Sequence, residues 1–252
     1  DDRRGELGRE ALEATLDLAS GAAVVDPMTG ASLIDRSRES ADDYSWASAQ
    51  ELPDGAVALW WDSFVHGDTL GVVRDPSGRS RFPLAAPPLV PVSDDGSAPG
   101  ILLLSTGLSV DAVDAQTGQS RWHAELGGGG LSGAVRYAGA LDVVGSDESA
   151  STVQQRDLLT GDLLWSTTWP GVVYPQLILA GDTLLIQGAS AEAALSGDFR
   201  GGMDRLAVVD LRDGTLSELP WPADLPTSSW LLVLDHRLYG STIDDRGVRR
   251  LG

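Results

Sequence analysis

An all-β fold of repeated four-stranded antiparallel sheets is predicted by three features of the sequence. The first is a tight turn that recurs: Asp26-Pro27-Met28-Thr29-Gly30, Asp75-Pro76-Ser77-Gly78, Asp114-Ala115-Gln116-Thr117-Gly118, Asp157-Leu158-Leu159-Thr160-Gly161 and Asp210-Leu211-Arg212-Asp213-Gly214. The second is its interval. The turn aspartates stand 49, 39, 43 and 53 residues apart, a mean of 46, which is the length of a four-stranded propeller blade. The third is the content of each period: short strand candidates parted by Gly, Asp and Pro turns, with no convincing ten-residue amphipathic helix. A sandwich also needs alternating strands but gives no reason for one turn to recur at this interval. The expected fold is therefore a β-propeller with about six repeats visible, the first and last incomplete. Such a ring either closes by pairing strands near Ala14–Val25 with strands near Arg237–Leu251, or forms part of a seven- or eight-bladed ring.

Taken in order, residues 1–20 form a lead-in. Leu12 and Leu16 are one helical turn apart, yet Ala14-Thr15-Leu16-Asp17-Leu18 alternates like a strand, so both helix and strand stay open. Residues 21–252 carry the repeats. The strand candidate Gly55–Asp62 contains Trp60-Trp61, and Leu70–Arg74 leads into the Asp75 turn. Pro83, Pro87, Pro88 and Pro91 then require a loop or an edge strand, because proline cannot donate to a central ladder. Ile101–Ser105 precedes the Asp114 turn, and Gly127–Gly130 breaks regular structure. Ala140–Val144 precedes the Asp157 turn. Thr183–Gln187 is followed by an insertion, Ala189–Met203, before the Asp210 turn, and Trp230–Leu234 opens a sixth repeat. Within each turn the residues have mechanical reasons: Asp accepts backbone N–H bonds, Pro presets φ, and Gly accepts positive φ.

Composition narrows the functional classes. With 42% apolar residues among 252, the chain can bury a sizeable core. A net charge of −19 argues against nucleic-acid or anionic-membrane binding through a positive field. There is no Cys, which removes disulfides, thiolate catalysis and zinc–thiolate sites. All 18 basic residues are arginine, which fits a high-GC coding bias. No apolar run is long enough to span a bilayer, and Asp1-Asp2-Arg3-Arg4 is not the start of a signal peptide.

The residue pattern Ala112-x-Asp114-x-x-Thr117-Gly118-x-x-x-Trp122 resembles the Ala-x-Asp-x-x-Thr-Gly-x-x-x-Trp signature of quinoprotein-type (PQQ-like) β-propeller repeats. Asp157, Thr160, Gly161 and Trp165 keep most of it. Asp26, Thr29 and Gly30 keep the turn, with Ile34 at the tryptophan position. In the other two copies that position holds Phe82 and Glu218. The resemblance implies that the turn joins the third and fourth strands of a blade and that Trp122 and Trp165 dock between neighbouring blades. A large ring is also a physically apt filler there, because a blade cannot bury both of its faces alone. The quinone is not implied: quinoprotein alcohol dehydrogenases carry an adjacent-cysteine disulfide over the cofactor and bind calcium, whereas this chain has no Cys. The non-enzymatic branch of the family contains scaffolds, assembly factors and sensor ectodomains.

No residue pattern here marks a catalytic, cofactor or metal site. His66, His123 and His236 lack a second ligand at metal spacing. No Gly-x-Ser-x-Gly elbow is present, and Gly127–Gly130 lacks the lysine of a phosphate loop. Acidic pairs occur at Asp42-Asp43, Asp94-Asp95, Asp147-Glu148 and Asp244-Asp245. They read as solvated turns, with calcium as the lesser reading at Asp94-Asp95-Gly96 and Asp244-Asp245. Partner contact is expected at Trp60 or Trp61, which point to opposite faces of one strand, and at Phe199 and Arg200 in the insertion. The expected function is a non-catalytic, extracytoplasmic scaffold, sensor or binding domain for a protein or envelope polymer. Its rival is a quinone- or calcium-dependent or polysaccharide-active propeller enzyme.

Overall fold

The computed structural model describes residues 45–63, 69–127, 129–195, 203–222, 230–234, 237–243 and 249–251. Its first sheet is a meander of β1 (Ser45–Glu51), β2 (Val57–Ser63), β3 (Thr69–Arg74) and β4 (Ser80–Pro83), each antiparallel to the next. The same plan recurs in β9 (Gly130–Tyr137), β10 (Ala140–Ser146), β11 (Ala150–Asp157) and β12 (Leu163–Pro170). It recurs again in β13 (Val172–Ala180), β14 (Thr183–Ser190), β15 (Arg205–Asp210) and β16 (Leu216–Leu219). This is a β-propeller-class architecture of four-stranded antiparallel blades. A short helix, α1 (Ala191–Leu195), interrupts the third of these sheets between β14 and β15.

Among the described residues, two sheets show three strands rather than four. β6 (Ile101–Ser105), β7 (Ser109–Asp114) and β8 (Ser120–Glu125) form only three continuous strands. Their fourth partner is reduced to a single bridge, Pro88 with Leu104, flanked by Leu89 N–H donating to the Leu103 carbonyl and Ser105 N–H donating to that of Pro87. The clustered prolines remove the N–H groups that a longer ladder needs. The chain then runs on to β5 (Ser93–Asp94), which pairs in parallel with β9 and covers its edge. The last sheet comprises β17 (Trp230–Leu234), β18 (Arg237–Ile243) and β19 (Arg249–Leu251).

By packing, the chain divides into two compact units. In the first, which holds β1–β4, β6 and most of β7 and β8, the core is made of Leu52, Ala58, Val73, Leu84, Leu102, Leu104 and Val113, with Trp60 and Phe82 against it. In the second, Val135, Val144, Val153 and Trp169 from one blade meet Leu177, Leu184, Ile186 and Val209 from the next. The inner strands β6, β10 and β14 are buried along nearly their whole length, covered on both faces, whereas the outer strands β8 and β12 alternate exposed with more buried residues.

The Asp–Gly turn lies where the sequence analysis expects it, joining the third and fourth strands after β3, β7, β11 and β15. Asp114 Oδ1 accepts the N–H groups of Gln116 (3.1 Å) and Thr117 (3.0 Å), and Gly118 N–H donates back to the Asp114 carbonyl at 2.8 Å. Asp157 holds Leu159 and Thr160 in the same way, both at 2.9 Å. The closing glycines Gly78, Gly118, Gly161 and Gly214 have φ between 71° and 80°, a region that penalises any side chain. The lead-in 1–20, the first turn copy at Asp26 and the closing segment Ala14–Val25 lie outside the described residues.

Candidate functional site

The motif residues serve the joints between blades. Trp165, at the start of β12, lies against the next blade's turn: its Nε1–H donates to the Leu211 carbonyl at 3.1 Å. A Cβ on Gly214 would stand 2.6 Å from the Trp165 ring. Farther along β12, Thr167 Oγ1 donates to the Gly214 carbonyl at 2.7 Å and Trp169 Nε1–H to Glu218 Oε1 at 3.0 Å. These partners are 46, 47 and 49 residues apart, so the repeat period is the distance over which one blade grips the next. In the first unit Phe82 plays the corresponding part: a Cβ on Gly118 would stand 2.5 Å from its ring. The turn glycine is thus required twice, for its positive φ and for the aromatic residue that covers it. Trp122 is buried on β8.

The expected partner contacts fall differently. Trp60 is half-buried against the first unit's core, with the bare backbone of its cross-strand partner Gly71 making room for the indole. The Trp61 side chain, Phe199 and Arg200 lie outside the described residues, as do His66, His236, Asp42-Asp43 and Asp244-Asp245. His123 Nδ1 is 2.8 Å from Asp111 Oδ1. Asp94 and Asp95 are engaged locally. Asp94 Oδ1 accepts Gly96 N–H, Asp95 accepts the N–H groups of Ser97 and Ala138, and the Arg136 guanidinium lies 3.5 Å from Asp94. Among the described residues no group of three or more His, Asp or Glu gathers as for a metal ion, and no helix there is long and apolar enough to cross a membrane.

The second unit carries a cleft of about 260 Å³ lined by Ser146, Asp147, Glu148, Val173, Tyr174 and Ala194. Three elements build it. The β10–β11 hairpin supplies Ser146, Asp147 and Glu148. Asp147 Oδ1 accepts Ser149 N–H (2.7 Å), Ser149 Oγ–H (2.9 Å) and Ala150 N–H (2.9 Å), which set the hairpin tip. These bonds, the Ser149 N–H foremost, hold the Asp147 carboxyl below its ordinary pKa, so it is charged at neutral pH. The start of β13 supplies Val173 and Tyr174, and α1 supplies Ala194. Backbone bonds tie the three together: Gly171 N–H to the Ser149 carbonyl and Ala191 N–H to the Gly171 carbonyl, both at 2.8 Å.

Tyr174 is the unusual member. Its φ is +53°, an uncommon and costly conformation for a bulky residue. It sits in an irregularity of the β13–β14 ladder between Val173 and Gln176. Pro175 supplies no N–H there, and Gly188 opposite leaves space that a Cβ would lose to Val172 at 2.5 Å. The side chain that results is 56% exposed at the cleft. The cleft offers carboxylates, a phenol and a hydroxyl, but its lining holds neither imidazole nor thiol. Such a surface can recognise cationic or hydroxyl-rich groups. The sequence analysis singled out Asp147-Glu148 only as a solvated turn and passed over Tyr174. The Tyr174-Pro175 pair inside a largely apolar strand is the signal that marks the irregularity.

No family model and no curated protein matches the sequence. Among solved structures the chain is similar to BamB from Moraxella catarrhalis, with a TM-score of 0.48 and 17% identity over 82% of this chain and 65% of that one. It is similar to the computationally designed Ika4 protein, with a TM-score of 0.47 and 14% identity over 69% of this chain and 98% of that one. It is also similar to the β-propeller domain of the Trilobed protease from Pyrococcus furiosus, with a TM-score of 0.48 and 11% identity over 83% of this chain and 67% of that one. The chain spans 65% of the length of the BamB structure.

Proposed function

We propose that this chain is a non-catalytic, extracytoplasmic binding domain: a propeller of the PQQ-like repeat class that presents the Tyr174 cleft to a protein or envelope polymer. The observation that carries the reading is Tyr174 itself. An exposed bulky side chain at φ +53° costs about 1–2 kcal/mol of backbone strain, and such strain clusters where a side chain is held out for a ligand. Glycine would relieve the strain and abolish the contact. The rigid hydrogen-bonded hairpin beside it holds the Asp147 charge in place, which favours recognition without loop ordering.

The experiment measures binding of a panel of purified envelope proteins and polymers to the immobilised chain, using wild type and Tyr174→Gly. The expected result is a partner that binds wild type and is lost in a variant whose melting temperature is not lowered. Equal binding by both removes the cleft from the reading. Turnover of a sugar or alcohol panel, or a shifted absorption band with raised melting temperature on adding quinone and calcium, overturns it in favour of the enzyme.

A further inference from the structure

Asp142 stands in the middle of β10 and is wholly buried, at 0% exposure. Strand alternation places it on the same face as Val144, and the register sets it between Val135 of β9 and Gln155 of β11. That face packs on the β13–β16 blade. Gln155 Nε2 donates to one carboxyl oxygen of Asp142 at 3.0 Å, while Oδ2 has no hydrogen-bond partner among the described residues. The same face also carries the polar side chains of Ser151, which donates to the Val172 carbonyl, and Thr167, which donates to that of Gly214. The titratable groups on these facing surfaces are Tyr137 of β9, Asp157 at the end of β11 and Glu218 of β16, whose carboxylate accepts Trp169 Nε1–H; β12 presents Trp165, and the core residues of β13, β14 and β15 are uncharged. Arg136 and Arg156 flank Leu141 in the register and therefore project from the opposite face.

An acid in this position has two very different forms. The neutral carboxyl needs little solvation and fits between the blades. The carboxylate has one amide donor and no cation, and burying a charge so poorly compensated is costly. We propose that Asp142 is a proton-controlled latch between these two blades, closed when the acid is neutral and loosened when it ionises. Burial pushes the Asp142 carboxyl up to about 7, with the Gln155 bond opposing in part. The folded value lies above the ordinary 3.8 of an unfolded Asp. The latch is therefore fully stabilising below about pH 4 and is lost as pH rises through about 7.

The test compares chemical unfolding of the full chain and of Asp142→Asn between pH 4 and pH 8. The difference isolates this group from other carboxylates, and one proton changes the unfolding constant about tenfold per pH unit. The expected result is that the wild-type unfolding constant gains up to about a thousand-fold on that of the variant between pH 4 and pH 7, then levels. Protection factors of β10, β11 and β13 amides, corrected for intrinsic exchange, should fall over the same interval in wild type alone. Parallel stability curves overturn the proposal. Should Asp142→Asn not fold, the wild-type side-chain carboxyl resonance decides: titration near pH 7 supports the latch, and titration below pH 5 overturns it.

Discussion

The β6–β8 and β13–β16 sheets differ in an instructive direction. The first carries every residue of the repeat signature, from Ala112 to Trp122, yet has three continuous strands and a single bridge at Pro88. The second keeps Asp210 and Gly214, replaces the threonine with Asp213 and the tryptophan position with Glu218, and still forms four full strands. The signature therefore governs the turn between the last two strands and says nothing about the first. The number of strands depends on whether the backbone can donate, and Pro87 and Pro88 limit that beside β6. Glu218 has changed partners without disrupting the joint: it accepts Trp169 Nε1–H and pairs with Arg205 at 2.7 Å.

The comparison can be broken most forcefully at the joint onto the β13–β16 sheet. Trp169 is 1% exposed, so Trp169→Ala should cost about 3–5 kcal/mol, read as a denaturant midpoint. Next comes Gly214→Ala, which combines a left-handed backbone with overlap against Trp165. It should cost about 2–4 kcal/mol, whereas Gly181→Ala should cost only about 1–2. Gly181 has a similar φ of 68° with nothing within 4 Å of its Cβ position. Equal losses at the two glycines would remove the aromatic cover as a reason for glycine. Thr167→Val deletes one bond to the Gly214 carbonyl and should cost about 1 kcal/mol. The exposed Glu218–Arg205 pair should contribute least: Arg205→Ala is expected to shift the midpoint by under about 1 kcal/mol.

Acid should loosen the turns themselves. Asp114 and Asp210 are each held at about 2, chiefly by the side-chain bonds of Arg121 and Arg212. Their folded values lie below the ordinary 3.8, so the contribution is present above about pH 4 and lost as pH falls through about 2. Asp114→Asn should flatten the thermal midpoint of the chain against pH in that interval. This slope is opposite in sign to the one assigned to Asp142, so the two are separable in one titration.

Much of the fold was legible because its information is local. An Asp–Gly turn needs only the residues within it, which is why the Asp75, Asp114, Asp157 and Asp210 copies located the third and fourth strands. The prolines likewise announced an edge, since a missing N–H is a property of the residue alone. The cleft was not legible in the same way. Asp147 and Glu148 looked like any polar hairpin tip until β13 and α1 were brought beside them. That Trp60 lies partly buried against the core, over the bare backbone of Gly71 across the strand, was likewise not visible in the sequence.

The sequence by itself determined the repeat, the turn geometry and the aromatic payload, because each depends on spacing and backbone chemistry over a few residues. Only the tertiary structure decided which glycine lies under which ring, where Tyr174 is held out, and that Asp142 is sealed between two blades. Those are relations between segments tens of residues apart, and a side chain's solvation follows from what packs upon it rather than from its neighbours in the chain.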